Sequence, residues 1–175
     1  MSLIATSSKS AVSSRVLVNR PSDAALSLLV LLVTAVCENP AMPAGTKDDP
    51  WELSTAPRTS IYTVWADETS DPPTLFCQIG STQLRYQLRC IDDLHAWLVE
   101  QDDWVDLGAA DEQKPAKEGT VEAWGRSEDN PVGGWYGLRK GYRGRFGMYV
   151  PPLLEALGKA ELTHEPRNNR VRAAP

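Results

Sequence analysis

Length, composition and charge describe an ordinary globular chain with an uneven charge distribution. The 175 residues, 42% hydrophobic and 23% charged, leave room for one folded domain plus a tail and exclude an array of several domains. Within the net charge of −5, residues 45–137 hold seven basic against eighteen acidic side chains, whereas residues 138–175 hold eight against three. Either the two parts neutralise each other in the fold, or a basic C-terminal face meets an anionic partner.

The N-terminal part of the chain, residues 1–44, differs from the rest in composition. Residues 24–36 form a largely apolar run that is too short to span a bilayer but fits the core of a signal peptide. Residues 1–35 would then direct export. Alternatively, the natural protein begins at Met42, and the preceding residues are a start-site artefact or a disordered extension. We therefore place the fold, a single α+β domain, in residues 45–175.

The clearest secondary-structure pattern is a hairpin over residues 74–89, preceded by a strand at residues 60–66. Apolar residues occupy alternate positions on both sides of Gly80 and Ser81, which fit a two-residue turn. Because a slip of one residue would move every apolar side chain to the other face, this alternation fixes the register. The predicted pairs are Ile79 with Thr82, Cys77 with Leu84, and Leu75 with Tyr86.

The same register bears on the cysteines. Cys77 and Cys90 fall on one face of the hairpin, but Cys90 lies six residues beyond the partner of Cys77, or about 20 Å along the strand. A disulfide requires Cα atoms within about 7 Å. We therefore expect structural thiols, which are typical of a reducing compartment, and this favours a cytoplasmic location.

The remaining elements complete an α+β fold. Residues 91–101 carry apolar side chains at helical spacing, with Asp92 and Asp93 where the helix dipole favours anions. The predicted fold is a small antiparallel sheet, built as a meander of hairpins and packed against two short helices. The chain also contains a predicted short strand or loop at 102–107, a strand at 120–125 and a helix that begins at Pro151-Pro152. A closing hairpin is predicted for residues 159–165 and 170–173, with His164 opposite Val171. Five tryptophans are expected to anchor the core: Trp51, Trp65, Trp97, Trp104 and Trp124.

No sequence motif for catalysis or metal binding is present. The chain lacks the G-x-S-x-G elbow of hydrolases, the Gly-Lys-Ser/Thr ending of a P-loop and the G-x-G-x-x-G fingerprint of dinucleotide binding. His95 and His164 are far apart in the sequence, and neither has a second ligand at metal spacing. We therefore predict no catalytic residues, no metal and no cofactor, and an enzyme would need a site that is assembled only by folding.

The densest local pattern, residues 130–150, combines glycine, aromatic and basic residues. Glycine lets the backbone approach other surfaces closely, and repeated glycine disfavours a stable helix and suggests irregular strand segments. Aromatic and arginine side chains are typical anchors of binding surfaces. If these side chains lie outward together, they form a recognition surface with the basic C-terminal hairpin. The candidate binding residues are Trp135, Tyr136, Arg139, Lys140, Tyr142, Arg143, Arg145, Arg167, Arg170 and Arg172.

Three functional hypotheses follow from this pattern. The first is a non-enzymatic module that presents residues 135–146 to a protein partner. The second is a nucleic-acid-binding protein, in which the basic residues of the 135–146 stretch and the 167–172 hairpin contact phosphates while aromatic rings stack on bases. The third is an enzyme with a fold-assembled site. None of them needs a membrane for the folded domain.

Three blocks of the sequence resemble a known family. They are WVDLGAADEQKP at residues 104–115, VEAWGR at 121–126 and PVGGWYGLRKG at 131–141. They resemble a family of small actinobacterial proteins of unknown function, over about Asp48 to Arg172. The resemblance implies no activity, fold or ligand. It implies a short soluble chain and supports Met42 as the natural start.

Overall fold

A computed structural model describes residues 45–108, 110, 114–139 and 144–175. The first part of the fold is a four-stranded antiparallel sheet whose strands are neighbours in the same order as in the chain. This agrees with the predicted α+β fold. The hairpin register is confirmed at all three predicted pairs, including Cys77 opposite Leu84. The prediction for residues 1–44 lies outside the described residues. The strands are β1 (Trp51–Ser54), β2 (Ile61–Asp67), β3 (Thr74–Ile79) and β4 (Thr82–Gln87).

The core lies on one face of this sheet, because the alternation of side chains places the apolar residues together. Leu75, Cys77 and Tyr86 are buried there. The helix that follows, α1 (Cys90–Gln101), starts one residue before its predicted position and packs Leu94 and Leu98 into the same core. Both described cysteines, Cys77 and Cys90, are buried free thiols, as predicted. Burial raises the pKa of each thiol, which keeps it protonated and unreactive.

A second, three-stranded sheet was only partly predicted. It consists of β5 (Val105–Asp106), β6 (Ala160–Leu162) and β7 (Arg170–Ala173), in the order β5-β7-β6. Leu162 opposes Val171, so the predicted pairing of His164 with Val171 is wrong. His164 has a left-handed backbone, with φ of 52°, and the chain has already left the strand there.

The predicted strand at residues 120–125 is also wrong, because this segment is a helix, α2 (Val121–Trp124). The Thr120 hydroxyl accepts a hydrogen bond from the Ala123 backbone N–H at 3.2 Å, which is the bonding of an N-cap. A helix of four residues is too short to show the periodicity by which helices are recognised in a sequence.

Two further short helices lie at the end of the glycine-rich stretch and directly after it. The first, α3 (Phe146–Tyr149), lies within residues 130–150, so the expectation of irregular strands there is wrong for these four residues. The second, α4 (Pro151–Ala156), begins at the predicted proline pair and buries Leu153 and Leu154. Gly158 follows it with φ of 69°, a conformation that glycine adopts without steric cost. Within the described residues, no helix has the length and apolar character that a membrane crossing requires.

Candidate functional site

The aromatic side chains that the sequence singles out are mostly part of the core. Tyr136 and Phe146 have no exposed surface, and Trp135 is half-buried. The expectation that these rings lie outward together is therefore wrong for Tyr136 and Phe146. Around Tyr136 the backbone pairs with β4: the Gln87 N–H donates to the Tyr136 carbonyl and the Leu138 N–H donates to the Arg85 carbonyl, each at 2.9 Å.

Phe146 is at the centre of the ring cluster that results. Its ring centroid lies 5.5 Å from that of Tyr136, 5.6 Å from that of Tyr86 and 6.1 Å from that of Trp124. The Trp124 ring also stacks on Trp97 at 5.1 Å. Aromatic pairs at these separations add to the free energy that burial alone provides. The glycine-rich stretch is therefore bound to the core through its aromatic residues.

Buried tyrosine hydroxyls attach the surrounding backbone to the core. The Tyr86 hydroxyl donates to the Gly144 carbonyl at 3.0 Å, and the Tyr62 hydroxyl donates to the Tyr149 carbonyl at 2.8 Å. The Tyr136 hydroxyl donates to the Asp93 carboxylate on α1 at 2.9 Å. Burial, together with the bond to this carboxylate, raises the pKa of Tyr136.

Tyr136 should contribute to alkaline unfolding. The folded state holds the phenol proton of Tyr136 more tightly than the unfolded chain does. The protonated phenol therefore contributes fully to stability below pH of about 10, and this contribution is lost as the pH rises through the raised pKa. A Tyr136→Phe variant should therefore lose stability less steeply above about pH 10, by about 1.4 kcal/mol per pH unit. Urea denaturation of both proteins across this range measures the difference, and equal slopes would contradict the assignment.

A buried ion pair holds the start of α3. Glu122 is fully buried and accepts hydrogen bonds from the Arg126 guanidinium, at 2.9 Å from Nε, and from the Gly147 backbone N–H at 2.8 Å. Arg126 also donates to the carbonyls of Lys114 and Ala110. Burial raises the pKa of Glu122 by more than these hydrogen bonds lower it. The i, i+4 spacing of Glu122 and Arg126 was visible in the sequence, but their burial was not.

The predicted basic residues of the glycine-rich stretch that the structure describes lie at the surface, unlike most of its described aromatic rings. Arg139 and Arg145 are exposed, and Arg145 has a left-handed backbone, with φ of 61°. Lys140, Tyr142 and Arg143 lie outside the described residues. The structure therefore places the described arginines of the stretch at the surface, whereas Tyr136 is buried and Trp135 is half-buried.

The C-terminal hairpin brings two predicted arginines together on one exposed face. Arg170 and Arg172 alternate on β7 with the fully buried Val171. The guanidinium carbon of Arg172 lies 4.8 Å from the centroid of the Trp104 ring, and that of Arg170 lies 5.8 Å from it. Arg172 also forms an ion pair with Glu161 on β6, at 2.6 Å. We call this face, formed by Trp104, Arg170 and Arg172, the hairpin face.

Arg167 is carried by the loop that leads into β7. The Asn169 side chain fixes this loop: its Oδ1 accepts from the Glu165 N–H and its Nδ2 donates to the Glu165 carbonyl, both at 2.6 Å. Arg167 is exposed on the loop. Within the described part of the chain, neither Arg167 nor Arg170 forms an ion pair. These two guanidinium groups can therefore accept an acidic ligand without losing an internal partner.

A cleft of about 360 Å³ begins beside the same loop. Arg167 lines it together with Lys117, which forms an ion pair with Asp106 at 3.1 Å. One wall is held by His164, whose Nδ1 lies 2.8 Å from the Ala56 carbonyl and whose Nε2 lies 2.9 Å from the Glu155 carboxylate. Among the described residues, no group of three histidine, cysteine, aspartate or glutamate side chains is arranged to hold a metal ion.

Trp104 is the functional candidate that the sequence did not identify. It was expected in the core with four other tryptophans, yet it is half-buried beside the two arginines. Of those five residues, only Trp124 is fully inside, and the remaining four are partly exposed. The contact of Trp104 with β7 joins residues that are more than sixty positions apart, so no local pattern could reveal it.

Comparison with known proteins places the chain in one family. It belongs to a family of unknown function, DUF6855, whose match covers residues 43–174. This agrees with the family resemblance over about Asp48 to Arg172. Neither the curated proteins nor the solved structures include a significant match.

Proposed function

We propose that this domain is a non-enzymatic interaction module whose hairpin face binds an acidic segment of a protein partner. The observation that carries the proposal is the placement of Arg170 and Arg172 over the half-buried Trp104 ring. Tryptophan and arginine are the residues most enriched among the side chains that dominate binding energy at protein interfaces. A planar guanidinium held against a ring also binds a carboxylate through two parallel hydrogen bonds.

The arrangement is ordered before a partner binds. Arg170 and Arg172 project from a paired strand, and Arg172 is held by Glu161 on one side and Trp104 on the other. Because these side chains have already lost rotamer freedom, less entropy is lost when a ligand orders them. The acidic remainder of the chain would repel other anionic molecules, which favours a short acidic segment over a large anionic surface.

The test is binding of short fluorescent peptides of aspartate, glutamate and serine, followed by anisotropy at low salt. The Arg170→Glu, Arg172→Glu double variant should weaken binding by at least about tenfold, because it replaces attraction by repulsion. A Lys47→Glu, Arg85→Glu double variant changes the net charge equally at other surfaces and should stay within about threefold of the parent.

Two outcomes would overturn the proposal. One is the absence of acidic-peptide binding at low salt. The other is a loss of binding in an Arg139→Glu, Arg145→Glu variant while the hairpin variant binds normally. The second result would assign binding to the glycine-rich stretch from which these two arginines project. Circular dichroism of every variant checks that the fold is retained.

Nucleic acid is the second candidate ligand, because arginines on an exposed face also suit phosphates. The burial of Tyr136 removes one of the rings expected to stack on bases, which weighs against it. Oligonucleotides in the same assay separate the two candidates. Tighter binding of a single-stranded oligonucleotide than of the acidic peptide, with affinity falling steeply as salt rises, would favour nucleic acid.

The remaining expectations stay predictions. The buried thiols of Cys77 and Cys90 support a cytoplasmic location, since two free cysteines are typical of a reducing compartment. The alternative of export depends on residues 1–35, which lie outside the described residues. An actinobacterial origin remains what the family resemblance implies. For an enzyme, the cleft beside Arg167 is one candidate site, and detection of turnover there would replace the binding proposal.

A further inference from the structure

The cleft beside Arg167 defines the partner segment more closely. We infer, on the basis of the proposed function, that this segment carries an aliphatic side chain next to its acidic residues. The aliphatic side chain enters the cleft while the carboxylates lie on Arg167 and Arg170. The partner is thus an acidic-aliphatic linear segment and not a uniformly acidic one.

The lining of the cleft supports an aliphatic occupant. Pro57, Leu107, Met148 and Pro166 form apolar parts of its wall. Its volume of about 360 Å³ is at the low end of ligand-binding pockets, which suits a side chain better than a large cofactor. A single apolar anchor that fills such a pocket is the common form of specific recognition at an interface.

The charges around the cleft determine what flanks that side chain. Two of the residues that line the cleft, Lys117 and Asp106, form an ion pair at 3.1 Å, with side chains that are 77% and 44% exposed. Arg167 contributes a further positive charge to the lining and forms no ion pair within the described residues. Asp106 also stands opposite Arg170 in the β5–β7 ladder, so the cleft and the hairpin face are neighbours. An acidic residue adjacent to the aliphatic one would therefore meet Arg167 or Arg170.

Two glycines that line the cleft are packed closely against neighbouring residues. A Cβ atom at Gly147 would lie 2.2 Å from the Leu107 carbonyl oxygen, and one at Gly108 would lie 2.3 Å from the Thr120 hydroxyl. At both glycines the backbone is thus packed against neighbouring residues, and no side chain from these positions enters the cleft. His164 contacts the carbonyl of Ala56, another residue of the lining, through Nδ1 at 2.8 Å. The site is therefore shaped in advance, which lowers the entropy lost on binding.

The experiment compares two acidic peptides that differ only in one central leucine or serine. The leucine peptide should bind the parent protein at least about tenfold more tightly, which is the effect of burying one aliphatic side chain. A Met148→Gln variant makes the cleft wall polar at similar volume and should reduce this ratio to below about threefold. The matched control is Ile61→Gln, at an exposed residue of β2, and should retain the full ratio.

A second measurement does not depend on any variant. In the complex with the parent protein, the leucine methyl groups should show nuclear Overhauser contacts to the Met148 methyl group. Equal affinities of the two peptides, or the absence of these contacts, would overturn the cleft assignment while leaving acidic binding intact. Failure of both peptides to bind would instead remove the proposed function itself.

Discussion

Replacing Phe146 by alanine is expected to lower the free energy of unfolding by about 3–5 kcal/mol, which is the usual cost of deleting a buried aromatic side chain. Phe146 has no exposed surface and contacts the rings of Tyr86, Trp124 and Tyr136. Its loss would leave a cavity among rigid rings that cannot easily collapse. Urea denaturation followed by tryptophan fluorescence measures the change.

The chain contains a matched control for this substitution. Its other phenylalanine, Phe76, is half-buried on the outer face of the first sheet, where it stacks on Trp65 at 5.2 Å. Phe76→Ala deletes the same atoms but only weakens a cross-strand pair, so the expected loss is about 1 kcal/mol. Similar losses for the two variants would mean that the glycine-rich stretch does not contribute its ring to the core.

Replacing Glu122 by glutamine should destabilise the fold by about 3–5 kcal/mol, because it leaves the Arg126 guanidinium without its carboxylate in a buried site. Glu122 is fully buried, and the exposed fraction of the Arg126 side chain is only 11%. The substitution also weakens the acceptor for the Gly147 N–H at the start of α3. Equilibrium denaturation by urea at neutral pH measures the loss.

An exposed ion pair provides the comparison for Glu122. Glu161 and Arg172 are paired at 2.6 Å, but their side chains are 42% and 46% exposed. Glu161→Gln should therefore cost about 0–1 kcal/mol. A Glu122→Gln effect that is as small as the Glu161→Gln effect would show that the Glu122–Arg126 pair does not hold the glycine-rich stretch in place.

The parts of the fold that follow a regular period could be predicted from the sequence. The β3–β4 register was correct because alternating apolar residues on both sides of Gly80 exclude a slip by one residue. The helix at Cys90–Gln101 was found because its twelve residues show the period clearly. By contrast, the helix at Val121–Trp124 has only one turn, and its Thr120 cap resembles an ordinary strand residue in the sequence.

The candidate site was predictable only in part. Arg170 and Arg172 were identified because they are basic residues of the predicted C-terminal hairpin, and in the structure their alternation on β7 places both on one face. The burial of Tyr136 and Phe146 was not predicted, because a stretch rich in aromatic and glycine residues has the same composition in a binding surface and in a tightly packed core. Tyr136 is held by long-range pairing with β4 and by Asp93, and Phe146 packs on the distant rings of Tyr86 and Trp124. Trp104 became a candidate only when the fold brought it to β7.

The most direct test of this account is to locate an acidic peptide through the indole N–H signals of the six tryptophans. In a two-dimensional spectrum of isotope-labelled protein, titration with the acidic leucine peptide should shift the Trp104 indole signal most. The Trp135 signal should change little, because that ring packs against Tyr86 and Phe146. A largest shift at Trp135, with Trp104 unchanged, would contradict the assignment of binding to the hairpin face.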